Sequence, residues 1–209
     1  MKKSSLVIGV AAAAFAMVAI VSGASAQDTK ISGRMYADFS NIDNTVDGVE
    51  AAPSGTGFDI KRLYIGIDHS FNDMFSANVT TDFQYSSAIS STEVYLKKAY
   101  LQAKFNDAFV VRVGATDLPW VPYVEGIYGY RYVENTMADR VKVATSADWG
   151  LHASGDFGGN FSYAVAAVNG AGYKNPTRSK GMDFEGRLSA KFDQWNFGIG
   201  GYTGKLGQE

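Results

Sequence analysis

The chain has 209 residues, with 19 Lys and Arg against 21 Asp and Glu, two His and no Cys. The missing cysteines exclude disulfide staples and thiolate metal sites, and the acidic balance argues against a nucleic-acid partner. A mean hydropathy of -0.10 with 13 Phe, 12 Tyr, 3 Trp and 23 Gly suits a sheet with one apolar and one wet face.

At the start, Lys2 and Lys3 precede an apolar stretch from Leu6 to Val21, and Ala24-Ser25-Ala26 supplies the small residues of a cleavage site. Residues 1–26 read as an export signal with Gln27 as the first mature residue. The stretch is short for a spanning helix, which needs about 20 residues. Without Lys2 and Lys3 the 19 basic residues fall to 17 against 21 acidic ones, a balance of -4. Residues 27–209 show no Pro/Ser linker or composition break and read as one domain.

Alternation of period two then predicts nine strands. From Lys30 to Ser40, Ile31, Gly33, Met35, Ala37 and Phe39 share one face, and Ser32, Arg34, Tyr36, Asp38 and Ser40 the other. Leu63, Ile65 and Ile67 oppose Arg62, Tyr64, Gly66 and Asp68; Phe75, Ala77, Val79, Thr81 and Phe83 oppose Ser76, Asn78, Thr80, Asp82 and Gln84. Ala99, Leu101, Ala103 and Phe105 oppose Lys98, Tyr100, Gln102 and Lys104, and Phe109, Val111, Val113 and Ala115 oppose Arg112, Gly114 and Thr116. Weaker alternation follows in Trp149–Ser154, Phe161–Ala167 and Asp183–Lys191, and Trp195, Phe197 and Ile199 open the ninth strand.

Short polar turns flanked by aromatics join these strands in pairs: Phe71-Asn72-Asp73-Met74-Phe75, Phe105-Asn106-Asp107-Ala108-Phe109, Phe157-Gly158-Gly159-Asn160-Phe161 and Phe192-Asp193-Gln194-Trp195. Asn, Asp and Gly tolerate the positive φ of tight hairpins. The flanking aromatics have a separate cause: beside the short turns of a transmembrane barrel they form an interfacial girdle. The three-residue turns keep both flanking Phe on the apolar face, so the hairpin registers are expected to agree without adjustment. Long connections alternate with the short ones, at 41–57, 86–92, 117–140 and 170–181. A soluble β-sandwich shares the alternation; strands of about ten residues and the one-sided loops favour a membrane crossing. The fold class expected is all-β, an antiparallel transmembrane β-barrel. Its nine strands form an incomplete barrel, open at the Lys30 and Trp195 strands.

Phe58-Asp59-Ile60-Lys61-Arg62-Leu63-Tyr64-Ile65-Gly66, Lys98-Ala99-Tyr100-Leu101-Gln102, Val113-Gly114 leading into Leu118-Pro119-Trp120, and Val165 to Asn169-Gly170-Ala171-Gly172 resemble Gram-negative outer-membrane porins of the phosphate-selective O and P type. The resemblance implies a homotrimer in outer-membrane lipid. It also implies passage of small hydrophilic or anionic solutes without a cofactor, and a third long loop folded inward to narrow the pore. Here that loop is 117–140, the longest connection, with Trp120, Tyr123, Glu125, Arg131, Glu134 and Arg140 as candidate constriction residues. Long loops without structure of their own are usually functional.

Candidate pore-lining residues are Arg34, Arg62, Lys98, Lys104 and Arg112, with Asp38 and Asp82 among the acids. Counting Arg187 and Lys191 against Asp68, Asp183 and Glu185 as well, the wet face carries seven basic and five acidic residues. That small surplus predicts weak anion preference and no carried-over phosphate selectivity. The arginines serve either selectivity or bracing through Asp38, Asp68 and Asp82. His69 and His152 are too far apart for a metal motif, and Asp183 and Glu185 read as a solvated lining. His152-Ala153-Ser154 resembles the His-x-Ser of outer-membrane phospholipases, but both side chains point to the wet face and no Asn-Gly follows. A plugged structural barrel is the remaining alternative. The chain is short for the porin family, and an odd strand count predicts that more of the barrel belongs with it.

Overall fold

A computed structural model of the chain describes residues 7–9, 17–22, 29–52, 54–86, 91–177 and 180–206, with backbone alone at 7–9, 17–22 and 85–86. Its strands are β1 (Val7–Gly9), β2 (Met17–Ser22), β3 (Thr29–Val46), β4 (Val49–Glu50), β5 (Gly55–Ser70), β6 (Phe75–Ser86), β7 (Ser91–Asn106) and β8 (Phe109–Asp117), followed by β9 (Ala147–Phe157), β10 (Phe161–Val168), β11 (Asp183–Phe192) and β12 (Trp195–Thr203). From β3 and β5 through β12 each long strand lies antiparallel beside the next in sequence, in one open sheet that does not close into a barrel. All nine alternating segments are strands of this sheet.

The faces are inverted relative to a water-soluble protein. One row joins Ala77, Leu101, Val113, Leu151, Ala167 and Phe184 across six strands. Along this face Leu101, Val113, Leu151, Leu188 and Ile199 are exposed, while Asp82, His152, Asp183 and Glu185 on the other face are buried. No second sheet covers the apolar side among the described residues, so the sandwich alternative has nothing to bury it. Such a face suits hydrocarbon, where an antiparallel ladder satisfies the backbone. No helix among the described residues is long and apolar enough to cross a membrane.

Four expectations are corrected. The β3 edge is not free: β2 pairs with Ser32–Ala37 and β1 with Asp43–Thr45, because the unpaired groups of an edge strand accept any strand that reaches them. The rest of the 1–26 segment lies outside the described residues. Registers do need adjustment, and they shift at three places. Tyr36 faces Arg62 while Ala37 faces Ile60, leaving Lys61 extra. Thr80 faces Lys98 while Thr81 faces Leu96, leaving Lys97 extra. Lys104 faces Val110 while Asn106 faces Phe109, leaving Phe105 extra. The first two bulges restore the apolar phase: Phe58 and Ile60 share a face with Leu63 and Ile65, and Val94 and Leu96 with Ala99 and Leu101.

The first two short turns use side chains where positive φ was expected. Asn72 Oδ1 accepts from the N–H of Met74 at 2.9 Å and of Phe75 at 2.8 Å, and Asn106 Oδ1 accepts from Ala108 at 2.9 Å. These Asx turns close the chain with ordinary backbone angles. Positive φ appears at Gly158, Gly159 and Asp193 in the other two turns. Finally, the first long loop is shorter than 41–57. β3 and β5 pair out to Ile42 and Gly55, and a two-residue Asp47-Gly48 turn with φ of 51° and 80° joins β3 to β4, the geometry of a type I′ hairpin.

Placing an arginine on the apolar face tests the inversion. Leu101→Arg or Val113→Arg is expected to destabilise the protein by about 2–4 kcal/mol near the bilayer midplane, whereas Gln102→Arg on the other face costs far less. Reversible unfolding in lipid vesicles measures the ranking, and the opposite order overturns it.

Candidate functional site

After β8 the chain turns over the polar face and does not project from the sheet edge. Leu118 and Val121 are buried as it turns, and helix α1 (Val121–Tyr128) begins with a proline in its first turn. It ends at Gly129, whose φ of 73° is the left-handed cap that glycine supplies without strain. A second short helix, α2 (Met137–Arg140), follows. The segment 117–140 was expected to lack structure of its own; prolines and a glycine cap give it this helical framework.

Three contacts seat its first half on β11 and β12. Glu185 Oε1 accepts the N–H of Trp120 at 2.7 Å, Tyr123 donates its hydroxyl to the Phe197 carbonyl at 3.0 Å, and the Arg187 guanidinium lies 4.2 Å from the centre of the Tyr123 ring. The rings occupy ground that only glycine leaves open. A Cβ on Gly198 would come within 2.8 Å of Tyr123, and one on Gly200 within 2.7 Å of Trp120. At its other end Arg131 faces β3–β7 across a cavity of about 470 Å³ lined by Arg34, Tyr64, Lys97, Lys98, Glu125 and others. The segment therefore spans the polar face from β12 to β3.

The charged residues sort into held and unheld groups. Arg62 donates to Asp82 at 2.7 Å and to the Tyr95 hydroxyl at 3.0 Å, and Asp82 is fully buried. Asp38 pairs with Lys61 at 2.6 Å and not with an arginine, and Asp68 accepts from Asn78 at 2.7 Å. Lys98 contacts Asp117, and within the crossing segment Arg131 pairs with Glu125 at 2.7 Å and Arg140 with Glu134. Lys104 stands apart at a short turn, 2.7 Å from Asp107. By contrast Arg34, Lys97, Arg112 and Arg187 have no carboxylate partner among the described residues. Arg34 reaches the Tyr36 hydroxyl at 3.4 Å, Lys97 lies 4.8 Å from the Tyr64 ring centre, and Arg112 donates to Gln102 at 2.8 Å. Bracing through the arginines thus holds for Arg62 and Asp82 alone.

Lys97 escaped the sequence reading because the bulge puts Lys97 and Lys98 together beside the cavity, where strict alternation would separate them. The change of apolar phase between Leu96 and Ala99 is the signal that could have found it. Asp183 and Glu185 are not a solvated lining. Both are buried, Glu185 on the Trp120 N–H and Asp183 on the N–H groups of Lys205 at 3.0 Å and Leu206 at 2.8 Å. His152 is also buried, and its imidazole makes no hydrogen bond to Ser154, the contact a base needs to activate a hydroxyl. His69 lies near a short turn, with its Nδ1 2.8 Å from the Thr29 hydroxyl.

Residues 29–121 match the family model described as phosphate-selective porin O and P. The resemblance read from the sequence holds over this N-terminal part. It includes the motifs at 58–66, 98–102, 113–114 and 118–120 and leaves Val165–Gly172 outside. No curated protein and no solved structure shows significant similarity to the chain.

The held pair on the wall has a measurable consequence. Asp82→Ala leaves the Arg62 guanidinium without its carboxylate and is expected to cost about 3–5 kcal/mol. Asp107→Ala, at the exposed turn pair, leaves stability unchanged. Chemical unfolding of the two variants side by side checks the contrast, and equal losses contradict it.

Proposed function

We propose that this sheet is wall of an outer-membrane pore through which small hydrophilic solutes, anions preferred, pass by passive diffusion, and that residues 117–140 are its constriction. The observation that carries the reading is the crossing segment itself. A long-side connection lies over the polar face, and its Arg131 lines one cavity with Arg34, Lys97 and Lys98. A hydrated anion in that gap exchanges part of its water for fixed positive charge, weakly enough to leave on the other side. No cofactor and no covalent step are needed.

The sorting of charges decides which residues act. Arg62, Lys98 and Arg131 bring cations already offset by Asp82, Asp117 and Glu125. Arg34 and Lys97 make no ion pair among the described residues, although Asp117 and Glu125 line the same cavity, and Arg112 and Arg187 likewise make none beneath the other side of the crossing segment. The preference is therefore for anions in general, set by a few unpaired cations, and is not specific to phosphate. Export by residues 1–26, later removed, supplies the route to the outer membrane. Removal also frees the β3 edge that β2 covers. Homotrimer assembly follows the porin resemblance.

A planar-bilayer recording under a salt gradient tests this. The protein should conduct with weak anion selectivity, and Arg34→Glu with Lys97→Glu should move the reversal potential toward cations. Lys104→Glu, at the turn, should leave it in place. A reversal potential indifferent to Arg34 and Lys97 in a folded variant removes them from the permeation path. Absence of discrete channels would favour the plugged structural barrel.

A further inference from the structure

The loop after β10 is a second inward element, built independently of the constriction segment. Its base is the buried Asp148 carboxylate, which accepts the N–H groups of Trp149 at 2.6 Å, Gly170 at 2.8 Å and Gly172 at 3.1 Å. Gly170 and Gly172 have φ of 90° and 78°, which lets successive N–H groups turn toward one anion. Trp149 Nε1 donates to the Tyr173 carbonyl at 2.9 Å, and the Tyr173 N–H donates to Ala147 at 3.0 Å. So fastened, the loop carries its tip across to strands far away in sequence. Tyr173 is buried, its hydroxyl 3.5 Å from Asp82 on β6 and its ring centre 6.0 Å from that of Tyr95 on β7. Lys97 lies 5.8 Å from the same ring, and Lys174 contacts Gln84 and sits 4.5 Å from the centre of the Tyr95 ring.

We propose that residues 169–174 form a second strap across the polar face and that Tyr173 at its tip determines the width of the passage beside the Arg62–Asp82 pair. The position of the strap stands on these contacts alone. Its effect on width rests on the pore reading above. Tyr173 and Tyr95 both bring hydroxyls to the carboxylate that holds Arg62, so the tip closes over the held pair and leaves Arg34 and Lys97 as the charge a solute meets.

Two measurements on the full chain, separable in what they decide, test the proposal. The chain has no cysteine, so Glu93→Cys and Asn175→Cys place two spin labels beside the Gln84–Lys174 contact without touching Tyr173. In reconstituted protein they should show one short, narrow distance, which broadens in Tyr173→Ala. A long, broad distribution in the otherwise unchanged protein overturns the strap. In single-channel recordings Tyr173→Ala should raise conductance roughly twofold with the reversal potential preserved, and Tyr173→Phe, which keeps the ring, should stay near the parent value. Unchanged conductance in Tyr173→Ala overturns the width role. A parent protein that does not conduct removes the pore reading and the width role together, while the label distance still decides where the strap lies.

Discussion

Everything in this structure follows from one requirement: the backbone must satisfy its own hydrogen bonds while one face of the sheet stays apolar and uncovered among the described residues. In hydrocarbon an unpaired N–H or C=O costs several kcal/mol, far more than any single side-chain contact here returns. The antiparallel ladder from β3 to β12 meets that cost strand by strand. It also fixes the alternation, since a residue turned one way must be apolar and the next can be polar. The buried polar groups Asp82, His152, Asp183 and Glu185 and the exposed Leu101, Val113 and Ile199 are two results of the same rule. At Lys61 and Lys97, where the chain holds an extra residue, the ladder bulges and does not let the apolar face slip.

That rule explains which parts were legible in the sequence. All nine long strands were visible because period two runs through them, and the four short turns because Asn, Asp and Gly sit between paired aromatics. The bulges were hidden. Lys61 and Lys97 break the alternation by a single residue, and a strand read outward from its clearest part, such as Leu63–Ile67, stops at the break. The pairs held across long sequence distances were hidden for another reason. Nothing local to Glu185 announces that the Trp120 N–H will reach it, so a buried anchor looked like a solvated carboxylate.

The polar face is shaped as much by absence of side chains as by their charge. Gly198 and Gly200 on β12 leave a flat strip against which Tyr123 and Trp120 lie, and a Cβ at either position would meet the ring at under 3 Å. A segment lying over a wall of long side chains would have to stand off from it. On this strip it sits close, and its peptide N–H at Trp120 comes within reach of a strand carboxylate. In the sequence the run Asn196-Phe197-Gly198-Ile199-Gly200-Gly201 reads only as a weak strand. Its glycines take on a purpose once the partner rings, 75 and 80 residues earlier in the chain, are brought beside them.

Charge on this face does two different jobs, and geometry separates them where composition could not. A count of seven basic against five acidic residues treats every cation alike. In the fold, Arg62 meets Asp82 at 2.7 Å and Arg131 meets Glu125 at 2.7 Å, and each such pair presents little net field a few ångströms away. Between fixed charges in water the field of an unpaired cation fades over about 8–10 Å at physiological salt. Arg34, Lys97 and Arg131 line one cavity together with Glu125 and Asp117. Neutral pairs tie the strands to one another and the crossing segment to itself, and the cations left without an ion pair stand beside the cavity that the segment covers.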